Sequence, residues 1–146
     1  MSTTKRTVLL TGCSDGGMGA SLALAFHEAG LKVFATARNP SKMASLKAAG
    51  IETLALDVQS EDSIKACLSQ VPSLDILVNN AGAGYVNPVT DVDIKQAKEL
   101  FDLNVWAQLA LIQACLPLLL KSKQAVIVNH TSGKSGAPSQ QETTDR

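Results

Sequence analysis

Short apolar runs alternate along this chain with longer segments whose apolar residues recur at helical spacing, and glycine or proline punctuates the boundaries. The runs "TVLLT", "KVFATA", "ETLALDV", "LDILVNNAG" and "QAVIVN" have strand length and are rich in β-branched and aliphatic residues. Between them lie "ASLALAFHEAG", "NPSKMASLKAAG", "SEDSIKACLSQV" and a long stretch from "TDVDIKQAKELF" through "DLNVWAQLALIQACLPLLLK", all read as helices. The first helix is predicted to bury Leu22, Ala25, Phe26 and Ala29, with Gly30 as its cap. Pro40 falls near the first turn of the second and Gly50 just past its end. Ser60 is the expected N-cap of the third, with Glu61 and Asp62 suiting the helix dipole. Thr90 and Asp93 have capping-box spacing at the start of the fourth.

Strands alternating with helices of this length indicate βαβ units, hence an α/β fold with a parallel sheet covered on both faces. Phe101 and Trp106 are expected in the core. The stretch "VWAQLALIQACLPLLL" is read as a buried helix, too short for a membrane span and interrupted by Gln108, Gln113 and Pro117. After "VIVNHTS" the last fourteen residues, "GKSGAPSQQETTDR", hold no aromatic and no aliphatic side chain larger than alanine. Residues 1–132 are therefore expected to form the domain, and 133–146 a disordered polar tail.

At 146 residues and 45% hydrophobic content the chain suits a single domain with a sizeable core. Thirteen basic residues balance thirteen acidic ones without long blocks of either sign, which argues against nucleic acid or an anionic membrane as partner. Cys13, Cys67 and Cys115 are odd in number and lack C-x-x-C spacing, so neither a disulfide framework nor a zinc site is expected. A reducing, cytoplasmic setting follows, and the opening "MSTTKRTVLLTGC" has too short an apolar run for a signal peptide. His27 and His130 have no carboxylate or cysteine at ligand spacing and are assigned structural roles.

The cluster "TGCSDGGMG" falls at the first strand-to-helix turn, where helix N–H groups point outward and residues without a Cβ let a pyrophosphate approach. At the end of the second strand, "FATAR" presents Arg38 where an acid would bind ribose hydroxyls and an arginine a 2′-phosphate. NADP(H) is therefore the expected cofactor.

With "LDV" at Asp57 and Val58, "NNAG" at Asn79 to Gly82, "LNV" around Asn104 and "VNHTS" ending at Ser132, the sequence resembles the classical short-chain dehydrogenase/reductase family over roughly residues 7–132. The form of its glycine loop is similar to fungal reductases related to 1-acyl-dihydroxyacetone-phosphate reductase. The resemblance implies an incomplete doubly wound parallel sheet of Rossmann type, with five strands ordered 3-2-1-4-5. It implies cofactor contacts from Gly12, Ser14, Gly17, Met18 and Gly19, from Asp57 and Val58, and from Asn80, Ala81 and Gly82. It implies hydride transfer between NADP(H) and a small carbonyl or alcohol substrate, with Ser132 binding the substrate oxygen and Asn104 supporting a water relay. One extra residue separates Gly12 from Gly17 relative to the family pattern, and Asp15 within that loop has to point away from a pyrophosphate.

The family's general acid is a tyrosine in Y-x-x-x-K, about a dozen residues beyond the serine. No tyrosine lies between Ser132 and Arg146, Lys134 comes too early, and Tyr85 after "NNAG" is not placed to inherit the role. The expectation is thus impaired reductase activity, the alternatives being a non-catalytic dinucleotide binder and an inactive fragment cut short near residue 133. In either case the fifth strand is expected as an exposed edge, and apolar surface on the long helix invites self-association or pairing with a full-length relative.

Overall fold

The computed structural model describes residues 5–132. The disorder expected of 133–146 lies outside them. Five strands, β1 (Thr7–Leu10), β2 (Lys32–Ala37), β3 (Glu52–Ala55), β4 (Ile76–Asn79) and β5 (Val126–Asn129), form one parallel sheet in the order β3-β2-β1-β4-β5. Helices α1 (Met18–Glu28), α2 (Ala44–Ala48), α3 (Glu61–Leu68), α4 (Ile94–Phe101) and α5 (Ala107–Leu119) connect them.

The two-residue period of the central strands sorts the helices between the faces of the sheet. Val8 and Leu10 join Val33, Ala35, Ile76 and Val78 in a core capped by Ala20 and Ala23 of α1 and Leu46 of α2. Leu9, Phe34 and Leu77 point the other way, onto Ile64 and Cys67 of α3 and Leu111, Cys115 and Leu119 of α5. β1 and β4 are buried on both faces, which is why Val8–Leu10 and Ile76–Val78 are apolar without alternation.

Ser60 caps α3, accepting from the Ser63 N–H at 3.3 Å, and Gly30 and Gly50 close their helices at φ of +86° and +82°. Pro40 opens a 3₁₀ turn (Pro40–Met43) leading into α2. Four expectations need correcting. The cap of α4 is Asp93, whose Oδ1 accepts from Lys95 N at 2.7 Å and Gln96 N at 3.1 Å; Thr90 lies earlier, in a 3₁₀ turn (Val89–Asp91). α1 buries Gly19, Ala20 and Ala23 rather than Ala25 and Ala29, because its approach to the sheet is set by the small residues that follow the glycine loop. α5 is buried along one seam only, at Ala107, Leu111, Cys115 and Leu119. Phe101 and Trp106 are each 58% exposed on the outward side of that helical run.

The long helical run expected from "TDVDIKQAKELF" onward is observed. Ile94–Leu119 is continuous over 26 residues, apolar and long enough by composition and length alone to cross a membrane, yet its seam is seated on the sheet. β5 is the edge strand expected, and Val126, Ile127 and Val128 are 40–43% exposed.

Candidate nucleotide site and adjoining cleft

Thr11 ties the glycine loop to the segment after β4. Its buried hydroxyl oxygen accepts from Asn80 N at 3.0 Å and Ala81 N at 2.9 Å, while its own N–H donates to the Val78 carbonyl at 3.1 Å. The chain then turns at Gly12, φ +73°, where a Cβ would lie 2.9 Å from the Ala81 Cα. Gly19 is closed to any side chain as well, since its Cβ would meet the Gly12 carbonyl oxygen at 2.3 Å. Two backbones therefore touch at the start of α1, the close helix–strand approach that a dinucleotide loop requires.

The N-terminus of α1 begins at Gly17 with no side-chain cap and no acid in the first turn, so its N–H dipoles are open to an anion. Asp15 does not spoil this. Its carboxylate accepts from the Ser45 hydroxyl and from the Ser45 N–H at 3.3 Å, and its own N–H donates to the Lys42 carbonyl at 2.6 Å, which turns the charge onto α2. Cys13 in the same loop is fully buried with its thiol donating to the Leu10 carbonyl, and burial pushes it up to about 12, so it is an inert filler of the turn.

Two clefts open beside the loop at the C-terminal end of the sheet. The smaller, about 250 Å³, is bordered by Gly12, Ser14, Arg38, Asp57, Val58 and Gly82. Asp57 is fixed there by its N–H donating to Ser63 Oγ at 2.9 Å and its Oδ1 accepting from Gln59 N at 3.0 Å. The larger, about 900 Å³, is lined by Met18, Asn80, Asn104, His130 and Ser132 among others. Ala81 and Gly82 border both, so the two join into one trough across the strand ends.

Asn104 sits in a π-helical turn (Asp102–Trp106) that links α4 to α5, a local widening common at functional sites. Its side chain clasps Ala83 twice, Oδ1 accepting from the N–H at 3.0 Å and Nδ2 donating to the carbonyl at 2.8 Å. Space beside it is tight, since a Cβ on Gly82 would be 3.1 Å from that Oδ1 and the amide would have to give by a few tenths of an ångström. Tyr85 is occupied elsewhere: its hydroxyl oxygen accepts from Asp93 N and Asn87 Nδ2, both at 3.0 Å, and holds the loop to the start of α4.

The predicted residues thus fall into two groups, Gly12, Ser14, Arg38, Asp57 and Val58 on the smaller cleft and Met18, Asn80, Asn104 and Ser132 on the larger. Ala81 and Gly82 join them. Gly17 caps α1, and Gly19 serves by its lack of a side chain. Sequence reasoning missed His130, which borders the larger cleft with its Nδ1 2.8 Å from Asn80 Oδ1. The available signal was its two-residue spacing from Ser132 along an extended segment.

A parallel sheet in this order, with an open glycine loop and a trough at its strand ends, defines a Rossmann-like α/β domain. The chain belongs to the short chain dehydrogenase family, whose pattern it matches over residues 6–144. It is 64% identical over 132 residues, 90% of the chain, to short-chain dehydrogenase/reductase GME11361 of Pestalotiopsis microspora. It is 40% identical over 139 residues, 92% of the chain, to an NADPH-dependent 1-acyldihydroxyacetone phosphate reductase of Schizosaccharomyces pombe. A short-chain dehydrogenase crystal structure from Streptomyces avermitilis superposes with a TM-score of 0.82 at 31% identity, over 90% of this chain and 50% of that one. The chain spans about half the length of the curated relatives it matches, 49% and 47% of these two.

Proposed function

We propose that this chain is the nucleotide-binding part of an NADP(H)-dependent reductase or dehydrogenase acting on a carbonyl or alcohol substrate. The observation that carries the proposal is the smaller cleft, where Arg38 borders the same space as Gly12, Ser14 and Asp57. A guanidinium at the end of β2 suits a 2′-phosphate, and no acid stands there to prefer free ribose hydroxyls. The relative from Schizosaccharomyces pombe, itself named as NADPH-dependent, is in keeping with this.

The pyrophosphate would lie on the open N-terminus of α1, with the Ala81–Gly82 backbone as the floor of the trough. When bound, the cofactor supplies the hydride. This chain's own residues orient the partners: Ser132 at the end of β5 would donate to the substrate oxygen, and Asn104 fixes the Gly82–Ala83 backbone through its two bonds to Ala83. The sole tyrosine of these 146 residues, Tyr85, has its hydroxyl anchored at the start of α4 and does not border either cleft, so among the described residues no phenol lines the trough as a general acid. The chain by itself is therefore expected to bind nucleotide and to turn over carbonyls about a hundredfold to ten-thousandfold more slowly than a member with that acid. Three buried thiols outside any disulfide fit a reducing compartment such as the cytoplasm.

Thermal unfolding with and without nucleotide tests the reading. Ligand at a hundredfold excess over Kd stabilises by about 2.7 kcal/mol, and NADPH should raise Tm more than NADH does. Arg38→Ala should weaken NADPH about tenfold and leave NADH unchanged, as for loss of one charge-assisted bond. Equal shifts by both nucleotides in the parent chain would remove the case for NADP(H).

A further inference from the structure

The side chain of Asn80 has only one possible orientation. Its Nδ2 lies 2.9 Å from the Thr11 carbonyl and 3.2 Å from the Gly12 carbonyl, and carbonyls only accept, so the amide NH₂ faces the loop. Oδ1 faces the other way, 2.8 Å from Nδ1 of His130. An amide oxygen also only accepts, so Nδ1 must carry the proton. In a neutral imidazole the second nitrogen is then a bare acceptor, and among the described residues Nε2 has no hydrogen-bonding partner.

His130 borders the 900 Å³ cleft two residues before Ser132, about 7 Å along an extended chain. Asn104, the neighbouring amide, is oriented by Ala83, to which it commits one N–H and one lone pair. We infer that His130 is a specificity-determining residue, whose fixed Nδ1–H tautomer offers Nε2 as acceptor to a substrate bearing a hydroxyl a few bonds from its carbonyl. The inference rests on the reading of this cleft as a carbonyl pocket. The backbone register that pairs Asn79 with Asn129 brings Asn80 and His130 together, so the link follows from the sheet itself.

The test is ¹⁵N NMR of the histidine ring nitrogens in the 146-residue chain, at about pH 8 where an ordinary imidazole is neutral. The expected state of His130 is protonated at Nδ1 and unprotonated at Nε2; a predominant Nε2–H form overturns the inference. The chain, with and without NADP⁺, is then titrated with 2-butanone, 1-hydroxy-2-butanone and 4-hydroxy-2-butanone. At least one hydroxyketone should bind about threefold to tenfold more tightly than 2-butanone and move the Nε2 resonance, as for one neutral hydrogen bond. Identical behaviour of all three ketones, including no response to any, overturns it. His130→Asn keeps a donor toward Asn80 but has no counterpart of Nε2, and should abolish the preference while the Asn80 resonances stay in place; a preference that survives also sinks the idea. NADP⁺-induced shifts at Gly12 and Gly17 report on the nucleotide reading separately, so their absence would refute that reading while leaving the tautomer result intact.

Discussion

At single residues, the site is held by atoms with no room to change. Gly19 shows this most sharply, since the first atom of any side chain would stand 2.3 Å from the Gly12 carbonyl oxygen and 2.6 Å from the Asn80 amide nitrogen. Gly19→Ala must push α1 off the loop. A cost of about 3 kcal/mol in urea unfolding is expected, together with weakened nucleotide binding. Gly16, at φ +78° but with nothing within 4 Å, should tolerate alanine with a loss of only about 1 kcal/mol. At the opposite end of the sheet Asp75 plays the joining part that Thr11 plays here. Its carboxylate accepts from Ser122 Oγ at 2.5 Å and from Thr7 N at 2.8 Å, while its backbone bonds Thr7 and Val126. The Ser122 hydroxyl first, and the Thr7 N–H second, hold this carboxyl below the ordinary 3.8. A depressed folded value contributes stability that is present above the unfolded value and lost as pH falls through the folded one. Asp75→Asn should cost less than about 1 kcal/mol at neutral pH, since solvent screens this carboxylate, and the gap from the parent should narrow from about pH 3.8 downward and close at lower pH.

Among the elements, α5 separates what the hydrophobic pattern reveals from what it hides. Leu111 is 1% exposed in the seam against the sheet and Leu116 is 42% exposed, although both belong to one apolar stretch. Leu111→Ala should cost about 3 kcal/mol and Leu116→Ala less than 1, a contrast that denaturant midpoints can read. Strands β1 and β4 are legible because both their faces are covered, so Val8–Leu10 and Ile76–Val78 are apolar without alternation, the polar Thr7 and Asn79 standing only at strand ends. Ser60, Gly30 and Gly50 were legible because caps are set by local geometry. The outward Phe101 and Trp106 were not, since apolar character does not say which neighbour shelters a side chain. Asp93 was mistaken for the third residue of a capping box because both it and Thr90 are cap-type residues, and only the helix start decides between them. The glycine loop and Arg38 could be read from position along a βαβ unit. The Asn80–His130 link spans 50 residues and exists only through the β4–β5 register, which no local pattern reports.

Over the whole molecule, each face of the sheet has its own sealed core, and all three cysteines lie inside these layers. Desolvation raises Cys13 and Cys115 to about 12 and Cys67 to about 11 from an ordinary 9.0, with Cys67 adding to the effect on Cys115. The unfolded chain ionises these thiols near pH 9, whereas the folded one keeps them protonated, so between those values the unfolded state binds fewer protons. Stability is then fully present below the unfolded value and is lost as pH rises toward the folded ones. Each thiol should remove about 1.4 kcal/mol per pH unit once the unfolded chain is fully ionised at that site. Urea midpoints should accordingly be flat up to about pH 8 and fall increasingly steeply to pH 10, below the main range of lysine titration. Cys115→Ala should flatten that fall by about a third, in addition to any constant loss from its smaller side chain. A midpoint that stays level through pH 10 would mean that the layers admit water to the thiols, and that α3 and α5 do not seal the sheet as tightly as their packing implies.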